Sequence, residues 1–71
     1  MLEKQFVHEM EVRGFRVDCP SGEDLVVLDS NNEQLARVNA FLPFKMNTMN
    51  TPSSIVTIVV EFSSTPYQNR F

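Results

Sequence analysis

The chain has 71 residues, 42% of them hydrophobic and 21% charged, and a formal net charge of −3. That length holds one hydrophobic core and leaves no material for a second domain, while the apolar fraction argues against a disordered chain. A single cysteine, Cys19, and a single histidine, His8, exclude an internal disulfide and fall short of the roughly four ligands of an ordinary N/S zinc site.

The whole of residues 1–71 is therefore expected to form one small domain, with no cofactor and no metal. A core of this size seldom yields more than about 3–5 kcal/mol of net stability, and self-association as a homodimer or a bound protein partner is the supplement left to it. The start of the chain, Met1-Leu2-Glu3-Lys4-Gln5, lacks an apolar run of signal-peptide length, and Ile55–Val60 is too short to cross a bilayer. A lone thiol fits a reducing compartment, so a cytoplasmic location is expected, with no membrane partner. Residues 1–33 hold eight acids against three bases, and residues 34–71 one acid against three bases. An acidic half disfavours phosphate backbones, which are bound chiefly through lysine and arginine.

In chain order, Phe6, His8, Met10 and Val12 alternate with other residues and predict a first strand. After Gly14 the phase slips to Phe15, Val17 and Cys19, the signature of a β-bulge. Pro20 to Asp24 carries turn chemistry, Leu25 to Leu28 reads as a short apolar strand, and Asp29-Ser30-Asn31-Asn32 as the next turn. Ala36, Val38, Ala40 and Leu42 alternate through a third strand that ends at Pro43. Residues 43–54 form a connector. Its Met46 and Met49 either cover an open edge of the core or offer an adaptable binding surface.

Residues 55–62 fit two periods. Ile55, Ile58, Val59 and Phe62 match a helix face, while Val56, Ile58, Val60 and Phe62 match strand alternation. β-branched residues favour strand, but Thr51 as N-cap and Pro52 as first helical residue favour helix, and a helix is predicted over about Pro52–Ser63. Thr65-Pro66 repeats the start signal for a final turn over Tyr67–Arg70. The expected fold is α+β: a three-stranded antiparallel β-meander with one C-terminal helix packed on one face.

Three stretches carry a resemblance: Gly14-Phe15-Arg16-Val17 before Ser21-Gly22, Leu25-Val26-Val27-Leu28-Asp29 before Ala36-Arg37-Val38, and Val60-Glu61-Phe62-Ser63-Ser64-Thr65-Pro66 closing with Arg70. Together they resemble a set of small uncharacterised proteins of phages and prophages of Gram-positive bacteria. The resemblance implies a short β-meander followed by a helix and a Thr-Pro-x-x-x-Arg step. It implies no activity and no binding residues. This chain departs from it in a helix rich in valine and isoleucine rather than leucine, and in the absence of a charged tail after Phe71.

Catalysis finds little support. His8 and Cys19 lack a third orienting group, and Glu9 and Glu11 are explained as a solvated strand face. Gly14 and Gly22 alone cannot make a phosphate-binding loop. Arg13, Phe15, Arg37, Phe41, Phe44, Lys45 and Arg70 would serve single-stranded nucleic acid if gathered on one sheet face, although the phenylalanines are also needed for a core. Protein binding is the favoured expectation. A meander exposes an edge strand that pairs with a partner or with its own copy, and Tyr67 and Phe71 flank Arg70 at the terminus, residue types that interfaces favour. The alternative for that terminus is that Phe71 plugs the core. Candidate interaction residues are Phe41, Phe44, Met46, Met49, Tyr67, Arg70 and Phe71. The function expected is that of a phage or prophage accessory protein acting on a host or defence factor by protein–protein binding, not an enzyme.

Overall fold

The computed structural model describes all 71 residues. Two helices cover one face of a four-stranded antiparallel sheet whose strands lie in chain order. The elements are α1 (Glu3–Glu11), β1 (Arg16–Asp18), β2 (Asp24–Leu28), β3 (Gln34–Asn39), β4 (Met46–Asn47), α2 (Ser53–Ser63) and a 3₁₀ turn at Tyr67–Asn69. The α+β class is as expected; the first strand is not.

Residues 6–11 are helical, and Val12 caps the helix. Phe6 and Met10, which satisfy alternation, are also four apart, and on a helix that spacing puts both on one face. Both are fully buried. The Glu, Lys, Gln and Met residues of α1 are good helix formers, and Gln5 Oε1 accepts the otherwise unpaired N–H of Leu2 at 2.9 Å. Gly14 is a helix terminator rather than a bulge. At φ 86°, it donates to the Glu11 carbonyl while Phe15 donates to that of Met10, both at 3.0 Å, the Schellman pattern of a helix end. What remains of the expected strand is β1.

β2 lies where the apolar run put it and β3 overlaps the alternating stretch, with the Asp29–Asn32 turn between them. Asp29 Oδ1 accepts from Asn31 and Glu33, and Asn32 takes the left-handed conformation at φ 62° that asparagine tolerates. The third strand stops at Asn39, three residues before Leu42. Asn39 Oδ1 accepts the N–H groups of Phe41 and Leu42 at 2.9 and 2.8 Å and turns the chain off the sheet. The connector contributes the two-residue β4, which pairs with Arg37 and Val38 and was not expected.

α2 is helical over the predicted range, and its alternation carries no strand. Ile55, Val59 and Phe62 are fully buried, so tertiary burial overrides the β-propensity of its valines and isoleucines. The cap differs from expectation. Pro52 is the N-cap, and the Thr51 hydroxyl donates instead to the Leu35 carbonyl at 2.7 Å, fastening the helix start to β3. The core joins Phe6 and Met10 to Leu25, Val27, Ala36, Val38 and these three α2 residues. Phe6 and Phe62 stack at 4.5 Å. Val26, on the opposite sheet face, is buried between its cross-strand partners Asp18 and Arg37. No helix is long and apolar enough to cross a membrane.

Candidate functional site

The chain's last turn is organised by a buried arginine. Arg70 is 1% exposed, and its guanidinium donates three hydrogen bonds, all to carbonyl oxygens. Nε reaches Thr65 at 2.8 Å, Nη1 reaches Asn39 at 2.7 Å and Nη2 reaches Ser63 at 3.1 Å. Its Cζ lies 4.6 Å from the centre of the Phe62 ring, a cation–π contact. Burying a charge without a paired carboxylate is costly. Here the cost is offset because Ser63 closes α2 and Thr65 follows directly, so the cation sits at the negative end of that helix. Burial lowers the Arg70 pKa from its ordinary value, and the Glu3 carboxylate acts in the opposite sense. The Arg70 carbonyl also accepts the N–H of Glu3 at 2.6 Å, which draws α1 into the same clamp.

The clamp fixes two surface segments side by side. Asn39 leads into the Phe41–Phe44 turn, and Arg70 ends the 3₁₀ turn. The Ser63 carbonyl accepts both from Arg70 and from the Phe44 N–H, the latter at 2.8 Å. The result is a ladder of three rings on the surface. Phe41 lies 5.3 Å from Tyr67, and Tyr67 lies 4.9 Å from Phe71 edge-on at 87°. Phe41 is 48%, Tyr67 42% and Phe71 71% exposed. At about 200 Å² per aromatic side chain, roughly 300 Å² of apolar surface faces water, the size of patches that are often functional.

Of the residues singled out in the sequence, Phe41, Tyr67 and Phe71 form this ladder. Phe71 does not plug the core. Arg70 is corrected from a surface contact to a buried organiser, which grips the Thr65 carbonyl. Phe44 is exposed and held at φ 62°. Met46 packs half-buried against the core, covering its edge, whereas Met49 stands in the following turn at 87% exposure with no ring of the ladder shown beside it. Sequence reasoning passed over Asn39, which ties β3 to the clamp, and Leu42, which is exposed beside Phe41 in the chain.

Of the cations of the nucleic-acid reading, Lys45 enters no ion pair and shares an open groove with Arg37 and Asp24, while the arginines are all engaged. Arg13 pairs with Glu9 at 2.6 Å, Arg16 with Asp18 and Arg37 with Asp24 at 3.2 Å, and Arg70 is buried. Phe15 packs half-buried against the core. Six of the nine acids, namely Glu3, Glu11, Glu23, Asp29, Glu33 and Glu61, enter none of these ion pairs. His8 is exposed on α1, in an open groove with Lys4, Glu9 and Glu61, and Cys19 is exposed in the turn beyond β1. Comparison with protein-family models, curated proteins and solved structures gives no match.

Proposed function

We propose that the chain is a protein-binding module that docks a partner through the Phe41–Tyr67–Phe71 ladder. The observation that supports it is a set of exposed rings held in fixed geometry by a buried arginine, because pre-ordered aromatics lose little freedom on binding. Phe44 adds to it. A non-glycine residue at positive φ costs stability, and an exposed ring recovers none of that through core burial. The partner's chemistry follows from the rings: an apolar socket able to receive them. The resemblance to phage and prophage proteins extends the proposal to an accessory role on a host or defence factor, without catalysis. Engagement of three arginines by carboxylates and burial of the fourth weigh against single-stranded nucleic acid as the ligand.

The test is capture from nuclease-treated host lysate at about 0.15 M salt, where weak surface electrostatics are screened, with wild type and a Tyr67→Ala, Phe71→Ala variant in parallel. One stoichiometric protein held by wild type and lost by the variant supports the proposal. Capture equal in both removes the ladder from it. Retention only of nucleic acid, with a steep loss between low and moderate salt, replaces it with the nucleic-acid function.

A further inference from the structure

The free edge of β1 is complementary to itself. Ala40 donates to the Glu23 carbonyl and Asn39 to the Lys45 carbonyl, so even-numbered residues of β3 bond to β2 and odd-numbered ones to β4. Because bonded pairs alternate along an antiparallel ladder, Leu25 and Val27 bond to β3, leaving Val26 and Leu28 to bond to β1. Their register partners are Asp18 and Arg16. The N–H and C=O of Val17 therefore point outward from the sheet, as do those of Phe15 and Cys19 on either side.

Two of these six groups are already used within the chain. The Phe15 N–H donates to the Met10 carbonyl, and the Cys19 carbonyl accepts from Gly22. The Val17 N–H and C=O, the Phe15 C=O and the Cys19 N–H remain. An antiparallel copy of the same strand, related by a two-fold axis at Val17, sets Val17 opposite Val17 and Phe15 opposite Cys19. The Val17 groups then pair with each other, and each Cys19 N–H meets a Phe15 carbonyl. The two groups that such pairing would leave over are the two satisfied internally.

The side chains agree with the backbone. In that register Arg16 stands opposite Asp18 of the second copy, twice, at the closely spaced positions of the ladder where cross-strand side chains interact most strongly. Both residues are exposed and now pair only with each other, at 3.2 Å. The geometry points to a homodimer formed by β1–β1 pairing, which joins two four-stranded sheets into one of eight strands. It uses a surface separate from the aromatic ladder, and neither proposal depends on the other.

Sedimentation equilibrium of the whole chain, under reducing conditions and up to about 1 mM because so short an interface is expected to be weak, tests it with charge reversals at exposed positions. Wild type should approach twice the 8.2 kDa chain mass. Arg16→Asp and Asp18→Arg singly place like charges opposite each other and should stay monomeric, and the double reversal should recover the dimer. Circular dichroism of each variant checks that the fold is intact. A wild type monomeric at the highest concentration, or a dimer that both single reversals leave unchanged, overturns the proposal. In the second case, loss of the dimer on Tyr67→Ala would assign self-association to the ladder.

Discussion

Asn39 and Arg70 lie 31 residues apart in the chain and share a 2.7 Å hydrogen bond from the guanidinium to the backbone carbonyl. Asn39 spends its side chain on the Phe41–Leu42 turn and its carbonyl on Arg70, so one residue at the end of β3 sets the position of both halves of the aromatic ladder.

Removing that guanidinium should be severe. Arg70→Met takes a donor from three carbonyls, of which Ser63 keeps the Phe44 N–H, and losses of about 3–4 kcal/mol are expected from such a buried site. That is much of the stability of a domain this size, and urea titration by circular dichroism should show a midpoint lowered by more than half. Arg70→Lys should rescue little, because an ammonium cannot reproduce the planar fork.

The same pair of proteins separates in its pH response. Burial holds the folded-state pKa of Arg70 below its unfolded value, so the folded state releases this proton more readily. The cost of burying the charge persists below the folded pKa and is relieved as pH rises through it. For arginine that lies in strongly alkaline solution, so its contribution is flat from about pH 6 to 9. A buried lysine titrates lower, and Arg70→Lys should gain stability relative to wild type as pH rises above about 8. Denaturation midpoints of both proteins across that range check the sign.

Ser63 offers the opposite outcome. Its hydroxyl is buried without a hydrogen-bond partner, while its backbone carbonyl carries the contacts to Phe44 and Arg70. Ser63→Ala removes the unpaired group, keeps the carbonyl and improves helix propensity, and should raise stability by about 0.5–1 kcal/mol, or several degrees in Tm.

Gly14 tests the helical start of the chain. It sits at φ 86° with nothing within 4 Å of where a Cβ would stand. Gly14→Ala should cost about 1 kcal/mol through backbone conformation alone, and Gly14→Asn should cost less, because asparagine enters the left-handed region more readily. Thermal melts of the two variants give the comparison.

The ladder should be dispensable for folding. Tyr67→Ala and Phe71→Ala remove half-exposed or exposed rings and should each shift stability by less than about 1 kcal/mol. Loss of partner capture at unchanged Tm separates a contact surface from a structural one.

What was legible in the sequence follows from how strongly each residue type commits to an environment. β2, β3 and α2 carry dense apolar patterns between clear turn residues, and each formed close to its predicted place. Phe6, His8, Met10 and Val12 satisfy two periods at once, and the choice turned on Phe6 and Met10, whose spacing of four serves a helix equally well. β4 is two residues long and carries no pattern. The rings of the ladder were visible as aromatics near turns, but Arg70 was not legible as a core residue, because arginine is rarely buried without a carboxylate. Only the meeting of a helix end, the residue Thr65 just past it and a strand end supplies enough carbonyls to hold it.

The hydrogen bond from Glu3 to the Arg70 carbonyl has a kinetic consequence. It joins the first turn of the first helix to the last turn of the chain, so it can form only after the intervening elements have brought the ends together. Contacts of such long sequence separation are slow to establish and belong to the late side of the folding barrier. Substitutions at the clamp should therefore appear mainly as faster unfolding, with the folding rate nearly unchanged. The lifetime of the native state, more than the speed of reaching it, rests on the last turn.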